Sequence, residues 1–193
     1  MKKMLITGFE PFCGETTNPS WDALALLSDV VGDFQLTKLE IPVVFGVAAD
    51  TVIKRAEEIG ADVILCIGQA GGRDAVTPEM IGINLRYATI PDNLGNEPRD
   101  EKILNLGENA YFTTLPVRKI ADAICEKKIP SKVSYSAGAY VCNDVIYSLL
   151  AHFDNTKTRV GFIHVPYSTD QNKQPSMPIE TIAEAIKTAI ETI

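Results

Sequence analysis

Short apolar runs alternate with amphipathic stretches along this chain. Uninterrupted apolar runs predict buried β-strands, whereas apolar residues spaced three and four positions apart predict helices that bury one face. Strands are predicted at Lys3–Thr7, Leu36–Ile41, Val63–Ile67, Val133–Ala137 and Val160–Val165.

Amphipathic helices are predicted between these strands. The first begins at Asn18 and Pro19, a capping residue followed by proline at the first helical position, and its apolar stripe runs to Val31. The remaining helices are predicted over residues 49–59, residues 116–128, Asp144–Phe153 and residues 178–193. Strands that alternate with helices form a mostly parallel sheet covered on both faces, so we predict an α/β fold. Residues 1–193 are predicted to form one domain, because domains usually contain about 100–200 residues.

Composition and charge exclude several classes of function. Apolar residues make up 46% of the chain and the net charge is −7, which is typical of a folded protein and disfavours nucleic-acid binding. No apolar run approaches the length of a membrane span or a signal peptide, so we expect a cytoplasmic protein. The four scattered cysteines lack metal-binding spacing, and we expect reduced thiols with no metal or cofactor.

Catalytic residues of an open parallel sheet collect in the loops that follow the carboxyl ends of its strands. Four loops satisfy this condition: Gly8–Asn18, Gly68–Glu79, Gly138–Asn143 and His164–Asp170. The irregular segment from Gly68 to Glu101 is also long for a compact domain, which is typical of a functional loop.

Cys142 is the strongest candidate for a nucleophile. It lies between a predicted strand that ends near Ala137 and a predicted helix that begins near Asn143. Free N–H groups and the helix dipole at such a position are expected to lower the pKa of a thiol and to hold an oxyanion. The alternative is a buried cysteine that packs as a small apolar side chain.

His164 is the candidate general base, because it ends the strand that follows the Cys142 helix. The alternative is a core histidine bonded to a carbonyl group. Glu79 is the acid best placed to orient the imidazole, and Glu10 is its main competitor. His152, inside a helix, is expected to face solvent or to cap the helix. The stretch from Gly68 to Arg73 lacks the lysine of a phosphate-binding loop and is interpreted as a tight turn of the active site.

These segments together resemble pyroglutamyl peptidase I, a family of cytosolic cysteine exopeptidases. Seven motifs in the same order carry the resemblance over nearly the whole chain: Gly8-Phe-Glu-Pro-Phe12, Asn18-Pro-Ser20, Gly68-Gln-Ala-Gly-Gly-Arg73, Thr77-Pro-Glu79, Ile90-Pro-Asp-Asn93, Ser136-Ala-Gly-Ala-Tyr-Val-Cys-Asn143 and Gly161-Phe-Ile-His-Val-Pro166.

The resemblance implies a phosphorylase/hydrolase-like fold, a homodimer or homotetramer, and a triad of Glu79, Cys142 and His164. It implies that the enzyme removes an N-terminal pyroglutamyl residue from peptides through a thioester and needs no cofactor. By the same analogy, Phe12 and Tyr140 hold the two faces of the pyroglutamyl ring. The full set of implied substrate-binding residues is Phe9, Phe12, Asn18, Gln69 and Tyr140.

Three positions depart from the family pattern. Met80 and Thr89 stand where the family generally has basic residues, and Cys13 replaces a usual glycine. The arginine expected in place of Thr89 is thought to assist the oxyanion hole, and Arg86 is not expected to substitute for it. One alternative is therefore a chain that binds pyroglutamyl peptides with little or no hydrolysis. Another is nucleoside or phosphate-ester chemistry on the same fold.

Overall fold

The computed structural model describes all 193 residues. It contains ten strands: β1 Lys2–Phe9, β2 Val30–Val31, β3 Phe34–Ile41, β4 Val63–Gln69, β5 Thr77–Pro78, β6 Ile81–Ile83, β7 Ala110–Phe112, β8 Arg159–Val165, β9 Tyr167–Ser168 and β10 Ser176–Met177. The five helices are α1 Pro19–Ala25, α2 Val47–Ile59, α3 Val117–Glu126, α4 Val141–His152 and α5 Ile179–Thr192, with one 3₁₀ turn at Thr169–Gln171.

Six of the strands form one sheet in the order β2-β3-β1-β4-β8-β5. The pairs β1 with β3, β1 with β4 and β4 with β8 are parallel, and the two short edge strands β2 and β5 run antiparallel. Strand β8 is therefore inserted between β4 and β5, although both precede it in the chain by about 90 residues. The carboxyl ends of the parallel strands meet at one edge of the sheet.

Helices cover both faces of this sheet, and each face has its own apolar core. One core joins α1, α3 and α5 to side chains such as Met4, Ile6 and Leu65. The other joins α2 and α4 to the alternate side chains of the same strands, including Leu5 and Ile64. Apolar residues on both faces explain why these strands read as continuous apolar runs. The predicted α/β architecture with a mostly parallel sheet is confirmed.

Two predicted elements differ from the structure. The first helix ends at Ala25 and not near Val31, because Val30 and Val31 pair with β3 as a short strand. The strand predicted at Val133–Ala137 is wrong. Residues 131–134 run beside β5 only through isolated bridges at Ser131 and Ser134, and Pro78 has no N–H group with which to continue a ladder.

The predicted helix Asp144–Phe153 is confirmed, but it begins three residues earlier, at Val141. Cys142 is therefore the second residue of α4 and not a residue of the preceding loop. Tyr140 is the N-cap and is extended, and no side chain bonds to the free N–H groups of the first turn. None of the helices is long and apolar enough to cross a membrane.

Gly8 lies where β1 passes directly under the start of α1. A β-carbon at this position would lie 2.4 Å from the carbonyl oxygen of Ser20 and 2.6 Å from the α-carbon of Trp21. Backbone atoms cannot move aside as the end of a flexible side chain can. The Ser20 hydroxyl also accepts a hydrogen bond from the N–H of Phe9, so β1, α1 and the loop that follows β1 are fixed together.

We expect Gly8→Ala to destabilise the protein by about 3 kcal/mol or more, because the new methyl group overlaps backbone. The measurement is the free energy of unfolding in urea. Gly60→Ala is the matched control: Gly60 ends α2 with a φ of +62° and open space around it, so its substitution should cost only about 1 kcal/mol. Equal losses in the two variants would contradict the close packing described at Gly8.

Candidate active site

Cys142 lies over the carboxyl end of β4. Its Sγ atom is 3.1 Å from the point that a β-carbon on Gly68 would occupy. The ring of Phe162 lies even closer to the same point, at 2.7 Å. Any side chain at position 68 would displace the sulfur, so glycine here allows the first turn of α4 to approach the sheet.

His164 is the neighbour of Gly68 on the adjacent strand. The register of β4 and β8 pairs Gly68 with His164, and adjacent strands lie about 4.8 Å apart. The imidazole is 3% exposed and packs against Phe162, with ring centroids 4.7 Å apart. The parallel register therefore places the histidine beside the point over which the sulfur of Cys142 lies.

Glu79 reaches His164 from the opposite side. Strand β5 pairs Thr77 with His164, and the N–H of Glu79 donates to the carbonyl of Phe162 at 2.9 Å. The carboxylate of Glu79 is fully buried, and its Oε1 atom lies 2.7 Å from Nδ1 of His164. An ionised carboxylate only accepts hydrogen bonds, so Nδ1 carries the proton and Nε2 is free to accept one.

The charges of this pair are set by burial and by mutual contact. Burial alone would raise the pKa of Glu79, but the hydrogen bond and charge of His164 and the charge of Arg73 hold that pKa below its ordinary value. Burial lowers the pKa of His164, and Glu79 only partly offsets this effect. At neutral pH the acid is therefore ionised and the imidazole is neutral, which is the state that a general base requires.

The expectation that the helix N-terminus lowers the pKa of Cys142 is wrong for this structure. Burial raises the pKa of the thiol to about 12, and the negative charge of Glu79 acts in the same direction. The positive charge of Arg73 and a backbone N–H favour the thiolate, but they do not outweigh burial. The resting site therefore holds a neutral thiol beside a neutral imidazole.

A small, mostly apolar cavity opens beside Cys142. Its volume is about 40 Å³, and its lining consists of Phe9, Phe12, Asn18, Val43, Gln69, Tyr140, Val141 and Cys142. The rings of Phe12 and Tyr140 face each other with centroids 6.4 Å apart and a tilt of 37°. The structure thus brings all five sequence-predicted binding residues to one cavity next to the candidate nucleophile.

The two amide side chains of the cavity are partly committed to the protein. Asn18 caps α1 by accepting from the N–H and the hydroxyl of Ser20, and its Nδ2 donates to the carbonyl of Glu10. Gln69 accepts through Oε1 from Gln171, which leaves the Nε2 hydrogens of Gln69 as free donors. Gln69 is therefore better able than Asn18 to offer a new hydrogen bond to a ligand.

The turn at Pro91–Asn93 bonds to three segments that carry cavity-lining residues. The Tyr140 hydroxyl donates to the carbonyl of Pro91 at 3.0 Å. Asp92 accepts from the N–H of Phe45 at 3.0 Å, and Asn93 donates to the carboxylate of Glu10 at 2.7 Å. Burial would raise the pKa of Asp92, but hydrogen bonds from Asn96 and from nearby backbone N–H groups hold it below its ordinary value.

The other candidate residues form no hydrogen bond with Cys142 or His164. Glu10 accepts from Asn93 and from the N–H of Val43, so it supports a cavity wall and does not contact His164. His152 is exposed and lies 2.9 Å from Glu57 on α2. Cys13 is exposed beside Phe12 with a φ of +54°, a left-handed conformation that glycine adopts at little cost.

The residues that follow Cys142 fix α4 to the segment containing the atypical positions. Asn143 exchanges hydrogen bonds with the backbone of Ile83. Asp144 is fully buried and accepts from Nε of Arg86 and from the N–H of Gly46, both at 2.6 Å. Arg86 is thus held by Asp144, whereas Thr89, where the family generally has a basic residue, is exposed.

Sequence reasoning missed two sets of contacts in the site. It gave no role to Arg73, which donates to Glu79 at 2.6 Å, or to Asp92 and Asn93, which support the cavity walls. The motifs that contain these residues are visible in the sequence, but Asp92 and Asn93 bond to Phe45 and Glu10, which are more than 40 residues away. For Arg73, the glycine-rich composition of the turn indicates a backbone conformation and gives no signal for the partner of the side chain.

Comparison with known proteins places the chain in a family. The family model described as pyroglutamyl peptidase matches residues 2–193. The pyrrolidone-carboxylate peptidase of Staphylococcus saprophyticus is 45% identical, with 99% of this chain and 92% of that protein covered. The pyrrolidone-carboxylate peptidase of Bacillus subtilis is 43% identical, with the same shares covered.

Solved structures agree with this assignment. Pyroglutamyl peptidase I of Bacillus amyloliquefaciens superposes with a TM-score of 0.94 at 41% identity and covers 100% of this chain and 96% of that chain. The pyrrolidone carboxyl peptidase of Thermococcus litoralis gives a TM-score of 0.94 at 37% identity, with 100% and 93% covered. The chain therefore belongs to the pyroglutamyl peptidase family of cysteine peptidases, as its motifs predict.

Proposed function

We propose that this enzyme removes an N-terminal pyroglutamyl residue from peptides, with Cys142 as nucleophile, His164 as general base and acid, and Glu79 as the group that orients His164. The observation that carries the residue assignment is the cross-strand row of Gly68 on β4, His164 on β8 and Thr77 on β5, with Glu79 two residues beyond Thr77. Gly68 under the sulfur, His164 beside it and Glu79 bonded to Nδ1 give each side chain the position that its role requires.

The first step is a proton transfer coupled to attack. The thiol and the imidazole are both neutral at rest, so Nε2 of His164 accepts the Sγ proton of Cys142 as the sulfur attacks the pyroglutamyl carbonyl carbon. Nδ1 keeps its proton, and the ionised Glu79 stabilises the imidazolium that forms. Uncapped N–H groups in the first turn of α4 are the donors available to the oxyanion.

The second half of the reaction reverses these roles. The imidazolium gives its proton to the departing amine, and the carbon–nitrogen bond breaks to leave a thioester on Cys142. Water then attacks the thioester with His164 as base, and the thiol and free pyroglutamate are released. Side chains, the backbone N–H groups at the start of α4 and water supply the groups that these steps use.

The cavity beside Cys142 accounts for specificity toward the lactam. A flat ring held between two aromatic faces needs a separation of about 7 Å, since each contact takes about 3.5 Å. Phe12 and Tyr140 are 6.4 Å apart, so a small outward movement and a loss of tilt would admit the ring. A charged α-ammonium group would lose its hydration in this apolar lining, and the lactam of pyroglutamate carries no such charge.

Residues 1–193 are proposed to act as one catalytic domain in the cytoplasm, assembled as a homodimer or homotetramer. Four free cysteines support a reducing compartment. Large exposed apolar side chains support association between copies; they include Leu94 and Leu106.

Hydrolysis of a pyroglutamyl amide with a chromogenic leaving group tests the assignment of Cys142. We expect Cys142→Ala to abolish turnover, because no other thiol lies in the cavity. Cys13→Ser and Cys125→Ser are the controls, since both thiols are exposed, and both variants should keep nearly full, alkylation-sensitive activity. Turnover by Cys142→Ala would rule out this nucleophile. Tight binding without turnover in the unaltered chain would favour the binding-only alternative.

Phe12→Ala tests the aromatic cavity. We expect KM for the pyroglutamyl amide to rise about tenfold with a smaller change in kcat, because one face of the ring loses its aromatic contact. Phe112→Ala is the control, since Phe112 is 68% exposed and distant in sequence from the cavity segments. A larger effect on kcat than on KM would place Phe12 in the chemical step and contradict a role in ring binding.

The pH dependence of alkylation tests the neutral thiol. With a pKa of about 12, the thiolate fraction of Cys142 should grow about tenfold for each pH unit between pH 6 and pH 9. The measurement is the iodoacetamide rate of the unliganded enzyme in a background with Cys13 and Cys125 replaced by Ser. A rate that is already constant between pH 6 and pH 8 would instead show a resting thiolate and imidazolium.

A further inference from the structure

Arg73 reaches from the glycine-rich turn after β4 into the interior of the site. Its Nη1 donates to Oε1 of Glu79 at 2.6 Å and also to the hydroxyl of Thr77. Its Nη2 donates to the carbonyl of Ser136 at 3.1 Å. Ser136 lies in the loop that leads to Cys142, so one guanidinium joins the acid to the segment that carries the nucleophile.

Arg73 and His164 share the same oxygen atom of Glu79. Oε1 accepts from Arg73 at 2.6 Å and from Nδ1 of His164 at 2.7 Å, whereas the buried Oε2 has no hydrogen-bond partner. The orientation of the carboxylate therefore depends on both donors at one atom. Without Arg73 the buried carboxylate would keep a single donor and its charge would be poorly compensated, because moving a charge from water into the protein interior is costly.

Few charged groups face the reacting atoms. Glu79 directly follows β5, His164 comes from β8 and Cys142 from α4, and Cys66 lies beneath Cys142 on β4. Arg73 is the only Lys or Arg side chain whose charge acts on these groups. Asp74, next in sequence to Arg73, is directed outward and pairs with Lys132 at the surface.

We propose that Arg73 is a fourth, positioning residue of the active site. It holds Glu79 in place for His164, ties Glu79 to the loop that leads to Cys142, and supplies the site with its cation. This inference rests on the proposed function of Glu79, Cys142 and His164. Arg73 keeps Glu79 ionised, opposes protonation of His164 at rest and favours the thiolate. It thereby supplies positive charge near Cys142 in a chain that has Thr89 where the family generally has a basic residue.

Three substitutions separate the charge of Arg73 from its shape. Arg73→Lys keeps the charge and loses the two-pronged contact with Glu79 and Ser136. Arg73→Gln and Arg73→Met remove the charge and keep the β- and γ-methylene groups of the side chain. Arg55→Ala is the control for loss of an arginine, because Arg55 lies on the exposed face of α2 and pairs only with Glu58. Thermal unfolding identifies which variants are folded, and two neutral variants allow for the failure of one.

The titration of His164, followed by NMR of its ring protons, is the decisive measurement. The chain has only two histidines, and the exposed His152 is an internal control in every spectrum. Because the Arg73 charge lowers the pKa of His164, its removal in Arg73→Gln or Arg73→Met should raise that pKa. Arg73→Lys and Arg55→Ala should titrate as the unaltered protein does.

Activity supplies the second measurement. The acid limb of kcat/KM should move to higher pH in the neutral variants and not in Arg73→Lys, with kcat reduced about tenfold or more in the neutral variants. An unchanged His164 titration in folded neutral variants, or equal shifts in Lys and Gln, would overturn the proposal. The NMR titration needs no substrate, so its outcome is independent of whether the enzyme cleaves pyroglutamyl amides.

Discussion

The burial of one carboxylate governs the arrangement of this active site. Glu79 has no exposure to solvent, so its charge must be balanced by protein groups. The antiparallel edge strand β5 brings it against β8, where the N–H of Glu79 bonds to the backbone and its side chain meets His164. The tautomer of the imidazole and the inward path of Arg73 both follow from satisfying this charge.

The catalytic row and the substrate cavity have different structural origins. Gly68, His164 and Thr77 are cross-strand neighbours, so the sheet register determines their spacing. The cavity also has walls outside the strands and helices, such as Phe12 and Tyr140, and the Pro91–Asn93 turn bonds to the segments that carry these walls through hydrogen bonds of 2.7 to 3.0 Å. A rigid row beside an adjustable cavity suits an enzyme that must position its reacting atoms closely while a ring enters between Phe12 and Tyr140.

The sequence predicts the parts of this molecule that depend on local pattern. Apolar runs identify the long parallel strands, and the predicted strand ends at Ile67 and Val165 locate two of the site loops. The position of Glu79 after the third predicted strand favours it over Glu10 as the partner of His164, and the motif resemblance agrees. Other features depend on tertiary contacts that no local pattern encodes. The strand predicted at Val133–Ala137 fails where Pro78 interrupts pairing, and the thiol pKa of Cys142 follows from burial, which outweighs the helix terminus.

The insertion of β8 between β4 and β5 also affects how the activity arises during synthesis. A nascent chain that stops before Arg159 already contains Cys142 and Glu79, but it lacks His164 and the central strand to which β5 pairs. Such a chain has no base beside its thiol, and its acid has no histidine to orient. A product of incomplete translation that ends before His164 therefore carries the proposed nucleophile without the proposed base.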